Sequence, residues 1–408
     1  MTALRAGLCA LIAFAVLAFG AADVWAASAL EIGSAVLLLY WAFLECRNPQ
    51  ARVQWVPLAW PVLGFLVIGI LQLLFHGTAN AFLTRVELLR ISASFLIFFL
   101  VAQAFRTRAD LSQLAWFFIL LSFSVSLFAI AQHFTSNGEI YWLQSLAVPS
   151  SFFGPYVNRN HFAGFVELTM PVGFALVAFR GVRRDLFPLV TLLAIVPVGA
   201  MVLSGSRAGI ISAAFQVGLL ILFARGRHGS HRGQIAAVAA VTIAALALIF
   251  WLGTAVTFER FLALHAGDVS GGRRVSMSRG ALHILSDYPI KGCGLGTIVD
   301  VYPRYETIYD TRLVDHVHND YVEELAETGI LGGLCGAAFL WLLYRGARRS
   351  FAAEQGHFSR ALHAGAIIAV SGILVHSFVD FNLHIPANAT LFLVQAYVAT
   401  SPPLPTDR

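Results

Sequence analysis

Residues able to do chemistry gather in a few short stretches of this 408-residue chain. His316 and His318 stand two apart in the run His316-Val317-His318-Asn319-Asp320, directly before an apolar segment. Such a pair at a helix start can ligate zinc, or one of its two rings can act as a general base, because imidazole titrates near neutral pH. No third and fourth ligand sit at a recognisable spacing, so a base is expected here and a metal is not. Asn319 is placed to cap the following helix, and Asp320, Glu323, Glu324 and Glu327 suit its electropositive start. Arg207 lies in the turn Gly205-Ser206-Arg207-Ala208-Gly209, where small neighbours allow close backbone approach. A guanidinium there suits bidentate binding of phosphate or pyrophosphate.

Other stretches carry weaker signals. His376, Asp380 and His384, spaced by four, predict one shared helical face lining a polar cavity. Gly292-Cys293-Gly294-Leu295-Gly296-Thr297 invites comparison with a phosphate loop, but it lacks the GxGxxG spacing, a following Lys-Ser/Thr and any β–α alternation. A flexible turn is the expectation. Glu31 and Glu167 lie inside apolar runs, where each needs a partner that the sequence does not name.

The elements that must position these residues are membrane helices. Hydrophobic residues make up 58% of the chain and charged residues only 12%, with a mean hydropathy of +0.75. Soluble domains carry about a quarter charged residues. The expected fold class is therefore all-α, a polytopic transmembrane helical bundle of about twelve spans with one long loop containing short helices. The spans are Leu4–Ala22, Ala26–Leu44, Val56–Phe75, Leu88–Phe105, Leu111–Phe134, His161–Phe179, Leu186–Leu203, Ala208–Phe223, Ile235–Leu252, Tyr321–Tyr344, Leu362–Val379 and Ile385–Thr400. The chain thus divides at 1–252, 253–320 and 321–408, with a helix expected over Val275–Leu285 in the loop. The first span could pass for a signal peptide, but it is as long as the later ones and is expected to stay.

Charge sets the orientation. Of the 27 basic residues, all arginine except Lys291, sixteen fall on one side of the alternating loops and eleven on the other, seven of these in the single long loop. Long loops translocate largely regardless of charge, so the richer side is cytoplasmic and both termini lie there. Arg159, His161, Arg207, the 253–320 loop and Asp380 then share the outer face, next to the helix start at Asn158 and Asn160. The arginines sit at the ends of apolar runs, with no basic block interleaved with aromatics, so nucleic-acid binding is not expected. The four cysteines have no metal or disulfide spacing.

Across roughly its whole length, and most specifically from Gly205 onward, the chain resembles the O-antigen ligase and O-antigen polymerase superfamily of bacterial membrane glycosyltransferases. The resemblance rests on Gly205-Ser206-Arg207-Ala208-Gly209, the run SGGRRVSMSRGALHILSDYPIKGCGLGT, and HVHNDYVEELAETGILG, in that order. It implies an inner-membrane enzyme that moves a glycan from an undecaprenyl-pyrophosphate carrier to an acceptor hydroxyl on a glycan, lipid A core or protein. No cofactor or metal is implied, and the remaining partner is membrane lipid. By motif match Arg207 and Arg274 hold the pyrophosphate and His318 deprotonates or orients the hydroxyl, with Arg279 and His316 as further candidates. The fragment Asn158-Arg159-Asn160-His161-Phe162-Ala163-Gly164-Phe165 also looks like the family and adds Asn160 and His161, while Asp380 joins from the last outer loop. Ser278 stands where the family often has tryptophan, which puts the packing of the loop helix in doubt. The rival reading is a secondary transporter or flippase for an anionic or lipid-linked solute, which requires polar groups near the middle of the membrane.

Overall fold

The computed structural model describes residues 1–50, 52–145, 152–225, 269–307, 313–353 and 356–403. Its helices are α1 (Thr2–Leu17), α2 (Val24–Cys46), α3 (Ala59–Leu74), α4 (Ala81–Ala104), α5 (Arg108–Thr135), α6 (Arg159–Ala178), α7 (Phe187–Ser204), α8 (Arg207–Arg225), α9 (Val269–Asp287), the single turn α10 (Ile298–Val301), α11 (Asp320–Ala353), α12 (His357–His376) and α13 (Pro386–Thr400). Among them, α2, α4, α5, α6, α7, α8, α11 and α12 are long and apolar enough to cross a membrane, and α1 and α3 are shorter apolar helices. This is a membrane protein, and among the described residues its bundle is all-helical. The expected span Ile235–Leu252 and the first part of the 253–320 loop lie outside the described residues.

Local chemistry sets several boundaries. Asn80 Oδ1 accepts from the backbone N–H groups of Phe82 and Leu83, so α4 starts before the expected Leu88. Asn158 caps α6 by accepting from Asn160 N at 2.9 Å. Asn319 caps α11 as the sequence predicts, accepting from Tyr321 N and Val322 N at 3.1 Å each. The loop helix α9 runs longer than Val275–Leu285, over nineteen residues. Gly329, at φ +63° and ψ −160°, interrupts α11, so its acidic first turns at 320–328 are set off from the apolar stretch that follows.

Of the eight membrane-length helices, α6 and α12 are the most enclosed, and they pack on each other and on α7, α8 and α13. Glycine permits this approach: a Cβ at Gly365 would lie 2.8 Å from the Val172 backbone. Close backbone contact substitutes for the hydrophobic drive that lipid does not supply. Inside the bundle, Glu167 finds the partners that its burial demands. Its Oε1 lies 2.7 Å from His376 Nδ1, and its Oε2 accepts from Ser212 Oγ at 2.8 Å, tying α6 to α12 and α8.

One end of the bundle carries a second, smaller core of Met277, Ala281, Ile284, Tyr302 and Val317, formed by α9, α10 and the segment before α11. Polar bonds fasten this layer to the bundle. Gln72 near the end of α3 donates to the Lys291 and Glu327 carbonyls, and Asn80 donates to Asp300. The glycine run is not a loose turn. Gly292, Gly294 and Gly296 all have positive φ, and Glu327 accepts from Gly296 N at 2.9 Å and from Ile298 N at 3.3 Å. A Cβ at Gly292 would collide with the Glu327 backbone, so glycine is what lets the strap lie against α11.

Candidate functional site

Asp380 is the point at which the candidate residues meet. It lies in the turn after α12 and its side chain has no solvent exposure. Its Oδ1 faces His318 Nδ1 at 3.3 Å and His161 Nε2 at 3.7 Å, and it accepts from Phe381 N at 2.9 Å. On the other side, Oδ2 accepts from Asn160 Nδ2 at 2.5 Å and faces Arg274 Nη2 at 3.8 Å. Four of the residues singled out in the sequence thus converge on a fifth, from α6, α9 and the approach to α11.

Electrostatics explain why this carboxylate persists. Burial alone pushes its pKa up, but the imidazoles of His161 and His318 facing its oxygens, together with the charge of nearby His376, hold it well below the usual carboxylate range. The His318 ring is partly exposed, at 25% against zero for its partner. With Nδ1 turned to Asp380, its Nε2 is the atom left to meet a reactant. The backbone at His318 is also unusual: φ is +54°, a left-handed conformation that costs free energy in a non-glycine residue.

The phenyl ring of Phe381 joins this group to a second one. It stacks on His316, with centroids 4.2 Å apart and planes at 18°, and meets His318 and His161 edge-on at 4.9 and 4.6 Å. His316 does not face Asp380. Its Nδ1 lies 2.5 Å from Glu323 Oε1, while Glu323 Oε2 accepts from Val317 N at 2.8 Å. His384 joins from the opposite side, with Nδ1 2.8 Å from Asp320 Oδ1 and Nε2 3.5 Å from Glu323 Oε1. Burial alone lowers the pKa of both rings, but the neighbouring carboxylates outweigh it and raise them, well above the usual range for His384. Donor atoms of His316, Glu323 and His384 lie within 4.8 Å of one another, the one such group with metal-ligand geometry among the described residues.

The shared helical face predicted for His376, Asp380 and His384 does not form. The α-helix ends at His376, and a turn leads into a 3-10 segment at Asn382–His384 before Pro386 opens α13. The three side chains consequently serve three partners: Glu167, the His318 group and the Asp320–Glu323 pair.

Arg207 opens α8, preceded by Gly205 at φ +67°. Two residues later Gly209 packs against Ala163, where a Cβ would lie 2.6 Å from the alanine methyl. Arg207 therefore lies at the same end of the bundle as His161, two residues before Ala163. Arg279 is exposed on α9 and is not among the groups at Asp380. A cavity of about 450 Å³ borders Asp320 and His384 and runs between α3, α4, α11 and α13, lined mainly by apolar side chains such as Phe65, Ile91 and Leu340.

Residues 191–337 match the O-antigen ligase family. The chain carries a domain of the O-antigen ligase superfamily. This ligase domain holds Arg207, Arg274, Arg279, His316 and His318, whereas Asn160, His161 and Asp380 lie outside the matched residues. No curated protein matches the chain. The family points to a membrane glycosyltransferase of bacteria, acting on a lipid-linked donor and an acceptor. Sequence reasoning did not foresee Phe381 or the division of labour among Glu323, Glu327 and Asp320. The acidic helix start carried a signal for the latter, but only the packing assigns each carboxylate its partner.

Proposed function

We propose that this protein transfers a glycan from an undecaprenyl-pyrophosphate carrier to an acceptor hydroxyl at the periplasmic face of the inner membrane, as an O-antigen ligase or polysaccharide polymerase. The observation that carries the reading is the His318–Asp380 pair with Arg274 on the same buried carboxylate. Asp380 fixes the His318 tautomer, so Nε2 accepts the proton as the acceptor oxygen attacks the anomeric carbon. The bond from that carbon to the pyrophosphate oxygen breaks, and its electron pair stays on the leaving group. Arg207 and Arg274 stabilise the charge that develops there. Pyrophosphate is already a good leaving group, so these steps need no metal. The apolar cavity beside Asp320 and His384 suits the carrier's hydrocarbon chain.

The test is transfer from a lipid-linked glycan by purified protein reconstituted in vesicles, compared with His318→Ala. Loss of transfer with retained fold is expected. Full transfer by that variant removes the base assignment, and no transfer by the unaltered protein with any donor favours a transporter or scaffold.

A further inference from the structure

The histidine and carboxylate group on the far side of Phe381 takes no part in the transfer just described. We propose that His316, Glu323 and His384 form a zinc-binding site, separate from the reacting atoms. Two imidazoles and one carboxylate are donors of the kind zinc takes, with one coordination position left for water. The sequence argued against zinc because no third ligand follows at a readable spacing. Tertiary structure supplies it, since His384 comes back from the turn after α12.

Geometry supports each ligand in turn. His384 Nε2 and Glu323 Oε1 are 3.5 Å apart, close to the edge of roughly 3.4 Å between ligands held about 2.1 Å from a tetrahedral ion. His384 Nδ1 is engaged by Asp320 at 2.8 Å, which leaves Nε2, turned toward Glu323, as the atom that coordinates once zinc displaces its proton. A carboxylate behind the ligating ring is the usual outer support of a zinc-bound histidine. Glu323 is itself oriented through Val317 N, and the His316 ring plane is set by stacking on Phe381. The contact between His316 Nδ1 and Glu323 Oε1 at 2.5 Å holds a proton, and it must open by roughly 1 Å for an ion to replace that proton. Both rings are reachable, His316 being 26% and His384 16% exposed, and His384 borders the cavity. The ion would reach the transfer site through Phe381, which touches both His316 and His318, and through the Val317 backbone held by Glu323.

Binding is measured directly, without reference to transfer. Detergent-purified full-length protein is stripped with a chelator, dialysed against zinc and analysed for bound metal. One zinc per chain is expected, with no competition from magnesium. His316→Gln and His384→Gln are each expected to weaken binding at least tenfold, and Asp320→Asn by about 10- to 100-fold through the lost outer support. Asp380→Asn, outside the group, is expected to leave affinity unchanged. Failure to bind zinc, or binding that survives the double substitution of His316 and His384 in folded protein, overturns the proposal and leaves a purely hydrogen-bonded network. If the variants do not fold, X-ray absorption of the zinc-loaded parent protein decides the matter. Two imidazoles in the first shell are expected, and a shell without imidazole refutes the site.

Discussion

Asp380→Asn removes one charge and almost no volume, so it tests the His318–Asp380 pair with little steric disturbance. In the parent protein Oδ1 faces His318 Nδ1 and Phe381 N, while Oδ2 takes Asn160 Nδ2 and faces Arg274. An amide presents an oxygen to one side only. If its oxygen serves Asn160 and Arg274, its NH2 group faces His318 and selects the tautomer with the proton on Nε2, which cannot act as a base. The opposite rotamer sets NH2 against the Asn160 NH2 group. Hydrogen bonds to charged groups contribute about 1.5–3 kcal/mol, and one decade of rate corresponds to about 1.4 kcal/mol. Turnover is therefore expected to fall about 10- to 150-fold, at the lower end if the 3.3 Å contact does not shorten on substrate binding. The assay is transfer from a lipid-linked donor in vesicles, with cooperative unfolding as the control for fold.

The pH dependence at Asp380 is equally specific. A depressed carboxyl pKa contributes stability that is fully present above the unfolded value of about 3.9 and is lost only as pH falls through the lower folded value. Asp380 thus stays ionised from about pH 5 to 9, so its own titration adds no step to the parent's turnover over that window. Turnover by folded Asp380→Asn indistinguishable from the parent protein refutes the tautomer argument. Titration of the Asp380 carboxyl within that window, followed by infrared absorption of the parent protein, refutes the assignment of a persistent charge.

Further outcomes are expected. Arg274→Lys keeps the charge but loses the planar fork, and should reduce turnover of the pyrophosphate donor while a melting curve in detergent stays close to that of the parent. Glu327→Gln sets an NH2 group against one of two backbone donors, at Gly296 or Ile298, and should destabilise the protein by about 1–3 kcal/mol in denaturant titrations. Gly292→Ala is expected to abolish stable folding, seen as loss of a monodisperse peak, because positive φ and collision with the Glu327 backbone combine there. Glu167→Gln should lower the unfolding temperature by loosening α6 from α12, since His376 then loses its charged partner.

Composition and apolar run length fix the class of this protein, because apolar runs of about twenty residues satisfy their backbone within lipid as helices, whereas barrel strands need only about ten. The cap at Asn319 was equally legible, whereas at the start of α6 the run offered Asn158, Asn160 and His161 and only the structure picks Asn158. His318, Arg207 and Arg274 were singled out by side-chain type and flanking motif, which are local properties of the sequence. What the sequence could not assign was partnership. His316 and His318 differ by two residues, yet one turns to Glu323 and the other to Asp380. The fourfold spacing of His376, Asp380 and His384 suggested one helical face, but the helix stops at the first of them. Burial made the difference in each case, because a charge removed from water must find whichever opposite charge the packed helices bring within reach. That choice depends on α6, α9, α11 and the turn after α12 meeting at one end of the bundle, which no local pattern encodes.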